Sequence, residues 1–225
     1  MVALYNIHLI NHSASTEVFW CFLAQPQELA NTPGVYANSS VCIAIDANAL
    51  ETNHFMIPVE YVVGAGASNI AVGLNVFVDS SDTQNADIGQ TWEASYASSP
   101  PNMGPNLFLT GTPSPADTIG ITTNAFDQMT NEANGWFSNQ SFGIMTDAGF
   151  MGMSWSPSPN TRTTITPRLG FYITTGAFSA NGLADWTSVS NDAALVQAPF
   201  DFSQNNCTVT LTASGAWKVS PGAPF

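Results

Sequence analysis

Basic side chains are nearly missing from this sequence. One Lys (Lys218) and two Arg (Arg162, Arg168) stand against 16 acidic residues in 225, for a formal net charge of −13. Three cations cannot neutralise a row of phosphates, and a field of that sign repels nucleic acid and anionic lipid, so neither is an expected partner. Charged residues of both signs make up 8% of the chain, against roughly 25% in ordinary soluble domains, and Ser, Thr and Asn take their place. Long apolar runs are also lacking. Gly, Asn, Ser or Thr interrupts each one short of the about 18 residues of a spanning helix, so membrane insertion is not expected. The start, MVALYNIHLINHS, has no basic region and no small-residue cleavage site after an apolar stretch. It does not read as a Sec-type signal peptide, and the expected location is cytoplasmic, or outside the cell after release without such a signal. Cysteine is scarce and odd in number: Cys21, Cys42 and Cys207 lie in FWCFL, SVCIAI and NCTVTL, surroundings that suit reduced, buried thiols rather than a disulfide framework.

What is present is material for a β core. Apolar residues are 44% of the chain and aromatics 11%, too many for an acidic disordered segment. Short β-branched and aromatic stretches recur between Gly, Pro, Asn and Ser clusters, which predicts about fifteen strands. They include Leu4 to Ile10, Glu17 to Leu23, Phe55 to Val63, Ile70 to Val78, Ile119 to Thr123 and Phe150 to Trp155, with Gly135 to Ser138 and Phe142 to Met145 as separate strands. Gly64 to Ser68, GAGAS, reads as a hairpin turn. One helix is expected from an Asn124 cap with Asp127 at its third position, Phe126 and Met129 on one face and Gly135 at its end. A shorter one is expected from Pro26 through Leu29. Proline clusters at 100, 101, 105, 113 and 115, and at 157, 159 and 167, read as long loops. No fixed-period repeat and no βαβ alternation appear. The predicted architecture is one all-β domain over 1–225, an antiparallel β-sandwich of two packed sheets with one or two short helices.

Two stretches carry a family pattern. The first is NIHLINHSASTEVFWCFLAQP; the second begins GFMGMSWSPSPNTRTTITPRLGFYITTGAF and, after an acidic loop, ends CTVTLTASGAWKVS. Both resemble the rhizosphere-expressed RhiA-like proteins of bacteria and fungi, over about half of the chain. The shared residues belong to turns and strands. The resemblance implies a small soluble β protein linked to bacterial group behaviour, such as quorum sensing, and it supplies no catalytic residue.

Chemistry-bearing groups are thinly spread. His8 and His12 have the spacing of metal ligands on a helix, but along a strand they stand roughly 13 Å apart. With His54 the only other histidine, no metal site and no cofactor are expected. Asp79, Ser81, Asp82, Thr83, Asn85 and Asp87 are the densest oxygen donors, yet the segment departs from an EF-hand and reads as a solvated acidic loop. No nucleophile elbow is present, and the protein is not expected to be an enzyme. The alternative enzymatic reading is a glycosidase using Glu60 and Glu93, whose carboxyl groups would have to lie roughly 5 to 9.5 Å apart. Trp20 and Trp217 sit in strand patterns and are expected in the core. Trp136, Trp155 and Trp186 lie near turns and are the candidate ligand-binding residues, stacking platforms for a glycan or small ligand. Arg162 and Arg168 are candidates for a small-anion or interface clamp. Sheet edges are normally guarded by Lys, Pro or covering loops. With one Lys, this chain has to cover or pair its edges, so the expected partner is another copy of itself, in a non-enzymatic homo-oligomer.

Overall fold

In a computed structural model, residues 3–30, 32–78, 80–97 and 104–224 are described. Asp79 of the acidic segment and Pro100 and Pro101 of the first proline cluster lie outside them. The described residues form seventeen strands and two short helices. In chain order these are β1 (Leu4–Asn11), β2 (Glu17–Leu23), β3 (Val35–Ser39), β4 (Cys42–Ile45), β5 (Asn53–Pro58), β6 (Tyr61–Ser68), β7 (Asp82–Ala86), β8 (Thr91–Ser95), β9 (Asn106–Leu109) and β10 (Ile119–Thr123). Then follow α1 (Gln128–Ala133), β11 (Phe137–Thr146), β12 (Gly149–Trp155), β13 (Arg162–Ile165), β14 (Gly170–Thr175), α2 (Trp186–Ser190), β15 (Ala193–Gln197), β16 (Asn206–Leu211) and β17 (Trp217–Pro221).

The protein is all-β and sandwich-like, built from four sheets where two were expected: β17-β16-β1-β5, β15-β14-β2-β4, β3-β12-β11-β6-β7 and β13-β10-β8-β9. Pairing is antiparallel except for β1 with β16 and β8 with β10, which run parallel. Parallel pairing needs a long connection, and the β1–β16 pair closes nearly the whole chain on itself. Alternation directs the packing. On β1, Ile7 and Leu9 face inward, while on β14 Phe171 and Ile173 do. These join Phe19, Phe142, Ile144, Met151, Met153, Ile119 and Ile121 in one buried cluster fed by all four sheets. A fully buried side chain of this size stabilises by about 1.5–3 kcal/mol.

Several expectations are corrected. The predicted strand from Phe55 to Val63 is two strands, because Pro58 ends β5 and has no N–H to carry the ladder on. Ile70 to Val78 is not a strand. Gly73 and Val76 close a turn with Asn75 at φ 61°, and Phe77 makes one bridge to Gly182. Gly135 to Ser138 and Phe142 to Met145 belong instead to the single strand β11, which starts at Phe137. β3, β7 and β15, rich in Ala, Asn, Gln and Asp, were not expected as strands; pairing with β12, β6 and β14 makes them so. The first helix begins at Gln128, and Asp127 rather than Asn124 caps it, accepting from the Thr130 N–H at 3.0 Å. Asn124 exchanges two hydrogen bonds with the backbone of Tyr96 instead, and Met129 is exposed. Pro26 to Leu29 forms turns only; the second helix is α2, capped by Asp185.

GAGAS is strand interior, not a turn. Its glycines lie on β6 under polar side chains of β11: a Cβ on Gly66 would stand 2.6 Å from Asn139 Oδ1, and one on Gly64 would strike the Ser141 hydroxyl. Gly143 and Gly152 face each other across β11 and β12 with the Phe150 ring over both. A Cβ on Gly152 would lie 2.6 Å from Gly143 Cα and 2.7 Å from that ring. Gly152→Ala is therefore expected to lower stability by about 1–3 kcal/mol. Gly111→Ala, with nothing near its added Cβ, should stay within about 0.5 kcal/mol. Urea unfolding midpoints of the two variants check this.

Candidate functional site

The three tryptophans proposed as stacking platforms do not form one surface. Alternation along β12 puts Met151, Met153 and Trp155 on the core side, so Trp155 is 6% exposed and the expectation of an open position is corrected. Trp186 is half-buried at the start of α2 and donates its indole N–H to the Val35 carbonyl at 3.1 Å. Val35 is also the partner of Trp155 across β3 and β12. Both rings therefore serve packing around one residue. Trp136 is half-buried where α1 meets β11, its backbone N–H bonded to the Asn131 carbonyl. Trp20 is buried, as expected, and Trp217 packs edge-on against Phe19.

The two carboxylates stand on different elements. Glu60 is exposed on the connection between β5 and β6, not on a strand, and borders a groove of about 460 Å³ with Asp87 and Tyr61. Glu93 lies on β8 between Thr122 and Phe108 and does not line that groove. Asp82 is on strand β7 rather than in a loop. It accepts from the Leu107 N–H at 2.8 Å and from Gln84 at 2.9 Å, which ties β7 to the β9 segment. Among the described residues no three His, Cys, Asp or Glu side chains converge to hold a metal ion.

The histidines are arranged by register. His12 contacts the Asn48 side chain at 3.1 Å, whereas His8 faces His54 directly across β1 and β5, ring centres 5.6 Å apart. Sequence spacing pointed to His8 with His12; only the β1–β5 pairing shows the other combination.

A groove of about 610 Å³ opens beside β14 and β15. Ala194 and Val196 turn into the core, leaving Leu195 and Gln197 outward, and Tyr172 stands opposite Leu195. Tyr61, Phe200 and Arg168 complete the wall. Phe200 is 84% exposed. None of the hydrogen bonds among the described residues uses the Arg168 guanidinium. Sequence reasoning missed Tyr61, Tyr172 and Phe200 here because their convergence depends on three separate parts of the chain. Burial, helped by Tyr5, pushes the Tyr61 phenol up to about 12, so at neutral pH it is protonated and can donate. Arg162 instead lines a second groove of about 400 Å³ with Glu28 and Trp155. Burial opposes ionisation of Glu28, but the Thr166 hydroxyl and backbone, with Arg168, hold its carboxyl below the ordinary range.

Comparison with protein-family models, curated proteins and solved structures finds no match.

All three thiols are free. Burial raises each: Cys207 to about 12, with Asp201 adding to it, Cys21 well above its usual value with help from Cys207, and Cys42 to a lesser degree. Protonated, such thiols are poor nucleophiles. The unfolded chain releases these protons at lower pH than the folded one, so this contribution to stability is intact below pH 9.0 and is lost as pH rises from there to about 12. Unfolding free energies should thus fall above pH 9, by up to about 1.4 kcal/mol per pH unit for each of the buried thiols Cys21 and Cys207. Denaturant titrations at neutral and alkaline pH measure the fall.

Proposed function

We propose that the protein is a non-enzymatic β-sandwich protein of RhiA-like type that acts through self-association of its exposed strand edges. The observation that carries this reading is where guards stand and where they do not. Arg162 lies on edge strand β13, Lys218 and Pro221 on edge strand β17, and Pro58 on edge strand β5. The outer side of β3 is covered by backbone bonds between Ala37 and Ala184. Edge strands β4, β7, β9 and β15 carry neither cation nor proline, and of these β9 and β15 expose large apolar side chains. β9 exposes Phe108 and Leu109, and β15 exposes Leu195; Asp82 takes the Leu107 N–H and Asp201 the Gln197 N–H, so pairing with another chain would use the remaining edge groups. No helix among the described residues is long and apolar enough to cross a membrane.

Net repulsion opposes contact between copies of charge −13, and salt screens it over a Debye length of about 10 Å at 0.1 M. Light scattering at rising salt should show mass increasing with protein concentration, and Phe108→Lys or Leu195→Lys should return the monomer while leaving the circular dichroism unchanged. A strict monomer at millimolar concentration in high salt would reject self-association.

A second reading is favoured by the groove at β14 and β15. Aromatic walls from Tyr61, Tyr172 and Phe200 with Gln197 and Arg168 suit stacking and hydrogen bonding to an acidic saccharide. Glycan-array binding lost in Tyr172→Ala and in Arg168→Gln, with mass unchanged by ligand, is the expected result for this reading. Binding that survives both changes removes it.

A further inference from the structure

We propose that His8 and His54 form an open, two-imidazole binding site for a late first-row transition-metal dication, Cu²⁺ foremost. The two residues are directly opposed on neighbouring antiparallel strands, with ring centres 5.6 Å apart and ring planes inclined by 39°. Imidazoles sharing one ion at metal–nitrogen distances of about 2.0–2.1 Å have ring centres roughly 5–6 Å apart, a spacing this pair matches.

The second observation is the hydrogen bonding of His8. Its Nε2 lies 3.0 Å from Asn206 Oδ1. That oxygen also accepts from Asn6 Nδ2 at 3.3 Å, so Nε2 donates to it. In the neutral ring the lone pair is then on Nδ1, which is buried and has no hydrogen-bond partner. Metal-bound histidines are commonly held this way, the far ring N–H given to a carbonyl oxygen while the other nitrogen ligates. A buried acceptor without a partner costs free energy, and a bound cation would supply that partner.

The surroundings select the ion. His54 is exposed on an edge strand. Met56, two residues along the same face and 44% exposed, brings a thioether beside it. Both border a groove of about 220 Å³ that His8 does not line, so an ion reaches the pair from the His54 side. Imidazole and thioether donors suit copper, and affinity for nitrogen sites peaks at Cu²⁺ in the divalent series, while Mg²⁺ and Ca²⁺ need oxygen cages. No third His, Cys, Asp or Glu joins the pair among the described residues, so water completes the coordination.

The test titrates the full chain with CuCl₂ and ZnCl₂ by calorimetry and records the electron paramagnetic resonance spectrum of the Cu²⁺ form. Expected are one Cu²⁺ site, weaker Zn²⁺ binding, no competition from excess Mg²⁺, and hyperfine coupling to two nitrogens. His54→Gln, at an exposed position, should weaken Cu²⁺ at least about tenfold and leave one coupled nitrogen. Asn206→Ala should weaken binding through the orientation of His8, and His12→Gln should change nothing. Wild-type affinity in His54→Gln, or a spectrum of oxygen-only ligation by surface carboxylates, overturns the proposal.

Discussion

Hydrogen bonds from neutral side chains to the main chain hold the connections of this fold to its strands, because a chain with three cations can form very few ion pairs. Asn11 donates to the carbonyls of Ser15 and Ile45 and so fixes the β1–β2 turn against β4. Asn124 clamps the backbone of Tyr96 from both sides, Ser39 reaches the Cys21 carbonyl, and Thr123 holds the Ser158 loop. Asn38 joins Ser154 and the Val78 carbonyl beneath the same sheet. Each such bond contributes about 1 kcal/mol net, yet leaving its buried partner unsatisfied costs more, so the set specifies one arrangement of loops.

That economy of charge shapes the surface. The few cations stand at particular places: Arg162 and Lys218 on sheet edges, Arg168 in the groove beside β14 and β15. Sixteen carboxylates dominate the charge, while the edge strands β9 and β15 present the apolar side chains of Phe108, Leu109 and Leu195. Leu195 belongs both to the β15 edge and to the groove wall. Under the two proposed readings, strand pairing there and ligand binding would compete for the same face.

Much of the strand pattern was legible in the sequence, and the reason is local. Glu17 to Leu23 and Ile119 to Thr123 carry enough β-branched and aromatic residues to define a strand without help from partners. Asp82 to Ala86 does not. DTQNA becomes a strand because β6 offers a free ladder and Asp82 accepts from the Leu107 N–H. The candidate site was less legible. Nearness to a turn was a poor guide to exposure for Trp155, since the parity of β12 outweighed it.

Composition and local alternation by themselves determined that this chain is all-β, poor in cations and furnished with reduced thiols, because each of these is a property of single residues or of near neighbours. Only the tertiary structure decided that there are four sheets, that Tyr61, Tyr172 and Phe200 share a groove, and that His8 meets His54 instead of His12. Those facts depend on strand register across long loops, and a shift of one residue would turn each side chain to the opposite face.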